Sequence, residues 1–284
     1  MQTTILNPIS CYGIGVHSGR ETQLTLKPAL HDTGVVFVRT DITSVDNVVY
    51  PHYTNVHDTT LSTSVKNDAS VSISTIEHLM AAIWGCGLDN VLIEIDGAEV
   101  PIMDGSSKPF VFMIECAGIK KLNYPKKYLK LLKDIHICND GSEIVATRAN
   151  ELSIYLTIDF KSPAIGKQQH SFSQENTFKK DLADSRTFGF LDELDYLRNQ
   201  GLAKGASLDN AIGIDKDVIM NHDGLRHDNE FVRHKMLDFV GDLFSCGGSF
   251  IGDIKGFKTS HMINNQLVHK IFDTPSAYQW VEKR

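Results

Sequence analysis

The segment Glu230-Phe-Val-Arg-His-Lys-Met-Leu-Asp-Phe-Val-Gly-Asp-Leu243 is the clearest helical stretch in the chain. Its apolar residues recur every three or four positions and therefore share one face of a helix; they are Val232, Met236, Phe239, Val240 and Leu243. The pattern predicts a helix from about Asn229 to Cys246. His234, Asp238 and Asp242 are spaced four residues apart, so they share a different face of the same helix.

That polar face has two interpretations. A histidine and a carboxylate one turn apart can be ordinary surface support, which stabilises a helix by about 0.2–0.5 kcal/mol per pair. The same pair can also bind a metal ion, because both side chains converge above one turn. A further histidine from elsewhere in the chain would give the metal three protein ligands. The fourth coordination position would then be open for water, as catalytic zinc sites require. No HExxH or HxxEH motif is present, so the spacing leaves both interpretations open.

A second amphipathic helix is predicted over Ser74–Trp84, with one apolar face formed by Ile76, Leu79, Met80, Ile83 and Trp84. Glu77 and His78 fall outside this face, in the first turn. The pattern Ser74-x-x-Glu77 is typical of a capping box, in which the glutamate bonds the backbone N–H of the cap residue. Taken alone, this helix favours a Glu77 that caps the helix and a His78 that is an ordinary exposed residue.

The remaining pattern mixes strands and helices without strict alternation, which favours an α+β fold over a doubly wound sheet. The predicted strands are Thr22–Leu26, Val35–Arg39, Val91–Ile95, Leu129–Ile137 and Leu152–Phe160. The predicted helices, beside the two above, are Thr177–Phe188 and Leu191–Asn199. The polar, basic segment Lys120–Lys127 carries a proline and predicts a domain boundary.

Composition excludes several classes of protein. The chain has 284 residues, of which 42% are hydrophobic, and a net charge of −7. These values are typical of a globular protein and exclude a disordered chain, a collagen and a coiled coil, while the acidic balance argues against non-specific nucleic-acid binding. The first residues lack Lys and Arg, and the longest apolar run is Phe110–Ile114, so neither a secretory signal nor a membrane span is expected. The 5 scattered cysteines predict buried free thiols in a reducing cytoplasm.

Other motifs exclude further chemistry. Gly13-Ile-Gly-Val-His-Ser-Gly19 has the wrong spacing for a dinucleotide fingerprint and precedes an alternating strand, so a hairpin turn is expected. No P-loop and no GxSxG elbow is present, which leaves phosphoryl transfer by a P-loop and serine hydrolysis without support. The apolar residues of Phe188–Leu197 could belong to the core or could face a lipid chain.

Several strings together resemble the UDP-3-O-acyl-N-acetylglucosamine deacetylase (LpxC) family, which contains zinc amidases of lipid A synthesis in Gram-negative bacteria. They occur in the family's order and cover almost the whole chain. Among them are Gly13–Gly19, Thr75-Ile-Glu-His-Leu-Met-Ala-Ala82, Arg186-Thr-Phe-Gly-Phe190, Glu230–Asp238 and His261. Agreement of this many strings by chance is not credible.

The resemblance implies two α+β domains of similar topology, with the helices packed between two sheets. The expected domains are residues 1–122 and 127–275, the second with an insert at about 188–212 that builds a passage for an acyl chain. The implied zinc ligands are His78, His234 and Asp238, and the implied catalytic residues are Glu77 as general base, His261 as general acid, Asp242 as its orienting group and Thr187 as oxyanion donor. The implied substrate-binding residues are Lys235, His17, Phe188, Leu194, Leu202 and Ala206.

The resemblance also implies the reaction and the setting. The expected reaction removes the N-acetyl group of UDP-3-O-(3-hydroxyacyl)-N-acetylglucosamine, with one catalytic Zn²⁺ ion or Fe²⁺ in its place. A cytoplasmic monomer is expected, with a UDP-linked acyl amino sugar as substrate, no nucleic-acid partner and transient contact with the inner-membrane surface. The chain departs from the family pattern at Ser260 and Ala206, where the family usually has glycine. Two alternatives are a non-haem iron oxygenase, since two histidines and a carboxylate also form its facial triad, and a catalytically inactive binding module.

Overall fold

The computed structural model describes residues 1–173 and 177–283. Its first part contains a five-stranded sheet of order β2-β3-β9-β4-β5, in which only β4 and β9 run parallel. Two smaller sheets, β6-β7-β8 and β1-β10, lie beside it. The strands are β1 (Thr3–Ile5), β2 (Ile9–Ile14), β3 (Glu21–Pro28), β4 (Val35–Arg39), β5 (Val48–Val49), β6 (Val56–Asp58), β7 (Ser64–Lys66), β8 (Ser72–Ile73), β9 (Val91–Ile95) and β10 (Ile119–Lys121). The helices are α1 (Glu77–Gly85) and α2 (Lys108–Ala117).

The second part contains a seven-stranded sheet in which β19 pairs with β11, β13 and β14, and a small sheet of order β16-β17-β18. Its strands are β11 (Lys126–Leu131), β12 (Ile135–Asn139), β13 (Ser142–Thr147), β14 (Leu152–Asp159), β15 (Lys167–Ser173), β16 (Phe188–Phe190), β17 (Ile212–Asp215), β18 (Val218–Ile219), β19 (Ser249–Phe257) and β20 (Tyr278–Lys283). Its helices are α3 (Phe178–Asp181), α4 (Leu191–Asn199), α5 (Glu230–Leu243) and α6 (His261–Phe272). The mixed sheets and packed helices confirm the α+β fold class.

The helices connect the two larger sheets. Helix α2 contacts β2 of the five-stranded sheet, whereas α5 contacts β14 and β15 and α6 contacts β12 and β13 of the seven-stranded sheet. Helix α1 contacts both α2 and α5. Gly241 allows α1 and α5 to approach closely, because a Cβ at this position would lie 2.1 Å from the carbonyl oxygen of Glu77. The first turn of α1 is therefore held against the last turns of α5.

Most of the predicted elements are confirmed. Strands β4 and β9 and helix α4 have the predicted bounds, and the Gly13–Gly19 segment ends β2 and then forms the predicted turn between β2 and β3. Helix α5 ends at Leu243 and continues as a 3-10 helix over Phe244–Cys246. Among the described residues, no helix is both long enough and apolar enough to cross a bilayer.

Three of the predictions are wrong in detail. The predicted strand Leu129–Ile137 is two strands, β11 and β12, separated by a break at 132–134. The predicted helix Thr177–Phe188 is a single turn, α3, and Phe188 instead begins β16, which pairs with β17. All 5 cysteines are free, but Cys116 and Cys138 are exposed rather than buried.

Candidate active site

Two histidines and an aspartate meet where α1 faces α5. Nε2 of His78 lies 3.4 Å from Oδ1 of Asp238, and Nε2 of His234 lies 3.3 Å from the same oxygen. All three side chains are buried. Oδ1 of Asp238 has no hydrogen-bond partner among the described residues, although it is shielded from water. An unpartnered buried carboxylate oxygen facing two imidazole nitrogens is an arrangement that a divalent cation would satisfy.

The protonation states of His234 and Asp238 also fit a cation. Burial lowers the pKa of His234 to about 4, so its imidazole is neutral near pH 7 and has a free lone pair. Burial acts to raise the pKa of Asp238, but His234 and Lys235 outweigh it and hold the pKa well below its usual value. The Ser185 carbonyl accepts a hydrogen bond from Nδ1 of His234 at 3.0 Å, which directs Nε2 toward Asp238. The residues present therefore fit a metal ion.

Glu77 lies next to His78 in the first turn of α1 and is buried. The predicted capping box is wrong, because α1 begins at Glu77 itself rather than after Ser74. Oε2 of Glu77 accepts a hydrogen bond from the backbone N–H of Thr63 at 3.0 Å. Burial raises the pKa of Glu77 above its usual value. This is the environment expected of a carboxylate that can accept a proton near neutral pH.

His261 begins α6 and faces the same site. Its Nδ1 donates to Oδ2 of Asp242 at 2.8 Å, and Nδ2 of Asn264 donates to the same oxygen at 2.8 Å. Burial would lower the pKa of His261, but Asp242 outweighs it and raises the pKa to about 9. His261 is therefore protonated near neutral pH and presents Nε2–H away from Asp242.

Thr63 was not predicted from the sequence. Besides its N–H bond to Glu77, its hydroxyl donates to Oδ1 of Asp242 at 2.5 Å. One residue of the loop after β6 thus holds both Glu77 and the carboxylate behind His261. No sequence pattern signals this, because Thr63 is 14 residues from Glu77 and 179 from Asp242.

These side chains border a cavity of about 560 Å³. Its polar end contains the three metal-binding candidates, together with Glu77, His261, Thr187, Lys235 and His17. Lys235 pairs with Oδ2 of Asp238 at 3.1 Å, and its Nζ lies 5.7 Å above the ring of Phe188. The backbone N–H of His17 donates to Glu99 at 2.8 Å, and burial lowers the pKa of His17. Thr187 is held by a backbone hydrogen bond to Gly105 at 2.8 Å.

The other end of the cavity is mostly apolar and is built mainly by the insert. Its apolar lining residues are Phe160, Phe188, Phe190, Leu191, Leu194, Leu197, Ala206, Leu208, Ala211 and Ile212, and the insert also contributes the charged residues Glu193 and Arg198. Two of the residues singled out from the sequence do not line this cavity in the described structure. Asp242 lies behind His261, and Leu202 is half-buried beside Ala203, which does line the cavity.

The entrance of the insert is fixed by a buried ion pair. Nε of Arg186 donates to Oε1 of Glu230 at 2.9 Å, and the Arg186 backbone N–H donates to the same oxygen at 2.9 Å. Glu230 is fully buried at the start of α5. The residue after Arg186 is Thr187, so this pair anchors the start of the insert to the helix that carries His234 and Asp238.

The sequence matches a family described as LpxC, UDP-3-O-acyl N-acetylglycosamine deacetylase, over residues 2–273. The chain belongs to the LpxC family. Proteins named UDP-3-O-acyl-N-acetylglucosamine deacetylase from Photobacterium profundum and Aliivibrio fischeri are each 44% identical to it, over 98% of this chain and 92% of the relative. The protein of that name from Histophilus somni is 43% identical, over 99% of this chain and 92% of the relative. The family resemblance inferred from the short motifs is thereby confirmed.

Proposed function

We propose that this LpxC-family protein hydrolyses the N-acetyl group of UDP-3-O-(3-hydroxyacyl)-N-acetylglucosamine. The products are acetate and UDP-3-O-acyl-glucosamine, and the reaction is the committed step of lipid A biosynthesis. The observation that carries this proposal is the convergence of Glu77, His261 and the buried His78/His234/Asp238 triad at one end of a cavity whose other end is apolar. Polar chemistry beside an apolar passage suits an amide on an acylated sugar.

His78, His234 and Asp238 would hold one divalent cation, proposed to be Zn²⁺, with Fe²⁺ as the alternative. When bound, the cation supplies Lewis-acid chemistry, since it polarises the acetamide carbonyl and makes a water easier to deprotonate. Two nitrogen ligands and one carboxylate, with room for further ligands on the cavity side, match the donor set of hydrolytic zinc enzymes.

Glu77 is the proposed general base. Its Oε2 is held by Thr63, so Oε1 is the oxygen that takes the proton of the attacking water. The raised pKa of Glu77 makes this proton transfer more favourable than for an exposed glutamate. A facial-triad iron oxygenase has no need of a buried base at this position, so the geometry favours hydrolysis.

His261 is the proposed general acid. It is protonated before the reaction, because Asp242 stabilises the imidazolium, and its Nε2–H is free to face the substrate. The proton passes from Nε2 to the departing sugar nitrogen as the C–N bond breaks. The Thr187 hydroxyl donates a hydrogen bond to the oxygen that becomes negative when water adds to the carbonyl.

Binding of the substrate is assigned to the two ends of the cavity. Lys235 and His17 would position the sugar and the diphosphate at the polar end. The acyl chain would occupy the apolar passage, with Phe188, Leu194 and Ala206 along its wall. The protein is proposed to act as a cytoplasmic monomer that touches the inner-membrane surface transiently. Its two halves are proposed to be domains, 1–122 and 127–275.

A metal-dependent deacetylation assay tests the function. The metal-free chain should release no acetate from UDP-3-O-(3-hydroxyacyl)-N-acetylglucosamine, and one equivalent of Zn²⁺ should restore release. The same sugar nucleotide without its acyl chain is the control for the passage and should react far more slowly. Undiminished turnover in a sample verified to contain no metal would overturn the proposal.

A further inference from the structure

A second cluster of metal-binding side chains lies on the hairpin formed by β12 and β13. His136 and Cys138 are two residues apart on β12, so they point to the same face of the sheet. Glu143 on β13 is the direct cross-strand neighbour of Cys138. The opposite face of the hairpin is the buried one, where Ile144 and Ala146 join the core. The three polar side chains therefore share the solvent face.

The three ligand atoms already converge. Nε2 of His136 lies 2.6 Å from Oε1 of Glu143 and 3.1 Å from Sγ of Cys138. The nitrogen, oxygen and sulfur atoms all lie within 4.8 Å of one another, and a single imidazole proton at Nε2 can be donated to only one of the two neighbours. A cation at that point would satisfy all three donors at once.

We infer that His136, Cys138 and Glu143 form a surface site for a borderline-soft divalent cation such as Zn²⁺ or Co²⁺. The donor set of imidazole, thiolate and carboxylate is one that such ions accept, with water as the fourth ligand. Binding replaces the thiol proton of Cys138, which is released to solvent. Ligand atoms around a tetrahedral zinc stand about 3.3–3.7 Å apart, so the two distances from Nε2 of His136 must each lengthen by less than about 1 Å. His136 and Glu143 have room for this, since their side chains are 56% and 50% exposed.

The hairpin site shares no residue with the triad of the cavity, and the two sites can be told apart by one type of ligand. The triad of His78, His234 and Asp238 contains no sulfur, whereas the hairpin site contains Cys138. A thiolate bound to Co²⁺ gives a charge-transfer absorption in the near ultraviolet that nitrogen and oxygen ligands do not give. The absorption reports the hairpin site whether or not the triad binds a metal, so this inference stands or falls independently of the proposed function.

The experiment is a titration of the untagged, reduced, metal-free chain with Co²⁺ up to two equivalents. We expect a thiolate–cobalt band that saturates at one thiolate-bound ion per chain. The band should be lost in C138S and strongly weakened in H136A. The matched control is C116S, because Cys116 is also an exposed free thiol but belongs to no candidate metal cluster of the described residues. Circular dichroism of each variant verifies the fold.

Three results would overturn the inference. They are a wild-type titration with no thiolate band at two equivalents, a band that persists in C138S, and a band that disappears in C116S. Because all three substitutions lie on the surface, loss of the fold is not expected to obscure the readout.

Discussion

The α1–α5 pair and the insert at 188–212 border the same cavity but are built in opposite ways. The α1–α5 pair carries Glu77, His78, His234 and Asp238, all buried and held by hydrogen bonds, ion pairs or close helix contact. The insert presents mostly apolar side chains to the cavity, and its helix α4 has no buried residue. Buried polar groups need fixed partners, whereas an apolar wall needs only shape. Substitutions in the helix pair should therefore abolish chemistry, and substitutions in the insert should change selectivity.

The largest effect is expected from removing a metal-binding candidate. We expect His234→Ala to lose both deacetylation and the triad-bound metal, because two remaining ligands hold a cation poorly. Metal content by elemental analysis and acetate release would be measured together. His222→Ala is the matched control, since His222 is fully exposed and its substitution should change neither quantity. Full metal content with full activity in His234→Ala would contradict the assignment.

The next effect separates binding of the metal from proton transfer. We expect Glu77→Gln to lower kcat by about 10²–10⁴-fold while the metal content stays at the wild-type level, because the amide cannot accept the proton of water. Glu115→Gln, at an exposed glutamate on α2, should behave as wild type. If Glu77→Gln turned over substrate at the wild-type rate, Glu77 would not be the general base.

A third prediction concerns pH. The pKa of His261 is raised to about 9 by Asp242, with Glu77 and Asp238 adding to the effect, so kcat/KM should fall as pH rises through about 9. In the wild type, the charge of Asp242 raises the pKa of His261 and desolvation lowers it. Asp242→Asn removes that charge, so the pKa of His261 falls. The alkaline limb of the kcat/KM profile should therefore move to lower pH, with reduced activity at neutral pH. An alkaline limb at an unchanged pH in this variant would exclude His261 as the acid.

A smaller effect is expected at Thr63. Thr63→Val keeps the N–H bond to Glu77 but loses the hydroxyl bond to Asp242. We expect kcat to fall by about tenfold, in line with the loss of a hydrogen bond to a charged group, with KM unchanged. Thr63→Ser should restore most of the activity because it keeps both bonds. Equal loss in the Ser and Val variants would show that the hydroxyl plays no part.

The smallest effect is expected in the insert. We expect Ala206→Gly to shift the preferred acyl chain toward greater length by a few-fold in kcat/KM, because removing a methyl group widens an apolar passage by about one CH₂ equivalent. Competition between substrates of different chain length would measure the shift. An unchanged length preference, or a large loss of kcat instead, would contradict the idea that the insert sets selectivity while the helix pair carries the chemistry.

Much of the fold could be predicted because its signals are local. Strands β4 and β9 and helix α4 follow from periodicity and have the predicted bounds, and α5 follows from its apolar face. The failures occurred where distant partners decide the outcome. Phe188 joins a strand rather than a helix because β17, more than 20 residues later, pairs with it.

The candidate site likewise has parts that local sequence predicts and parts that depend on distant partners. His234 and Asp238 could be associated from sequence, because four residues make one helical turn. The segment that contains Glu77 and His78 by itself favours a cap and a surface residue, since nothing local shows that α5 covers them. Burial, which sets the pKa values of Glu77 and His261, depends on that contact and not on either helix alone.

The sequence alone determined the helix faces, the α+β class and the family to which the chain belongs. Those properties depend on residue spacing and on strings that stay together along the chain. Three further properties follow from the folded structure: Thr63 bonds both the base and the carboxylate behind the acid, Leu202 lies outside the cavity, and His136, Cys138 and Glu143 converge. Each of these depends on contacts between segments distant in sequence or on adjacent strands, and such contacts are set by packing and register rather than by local propensity.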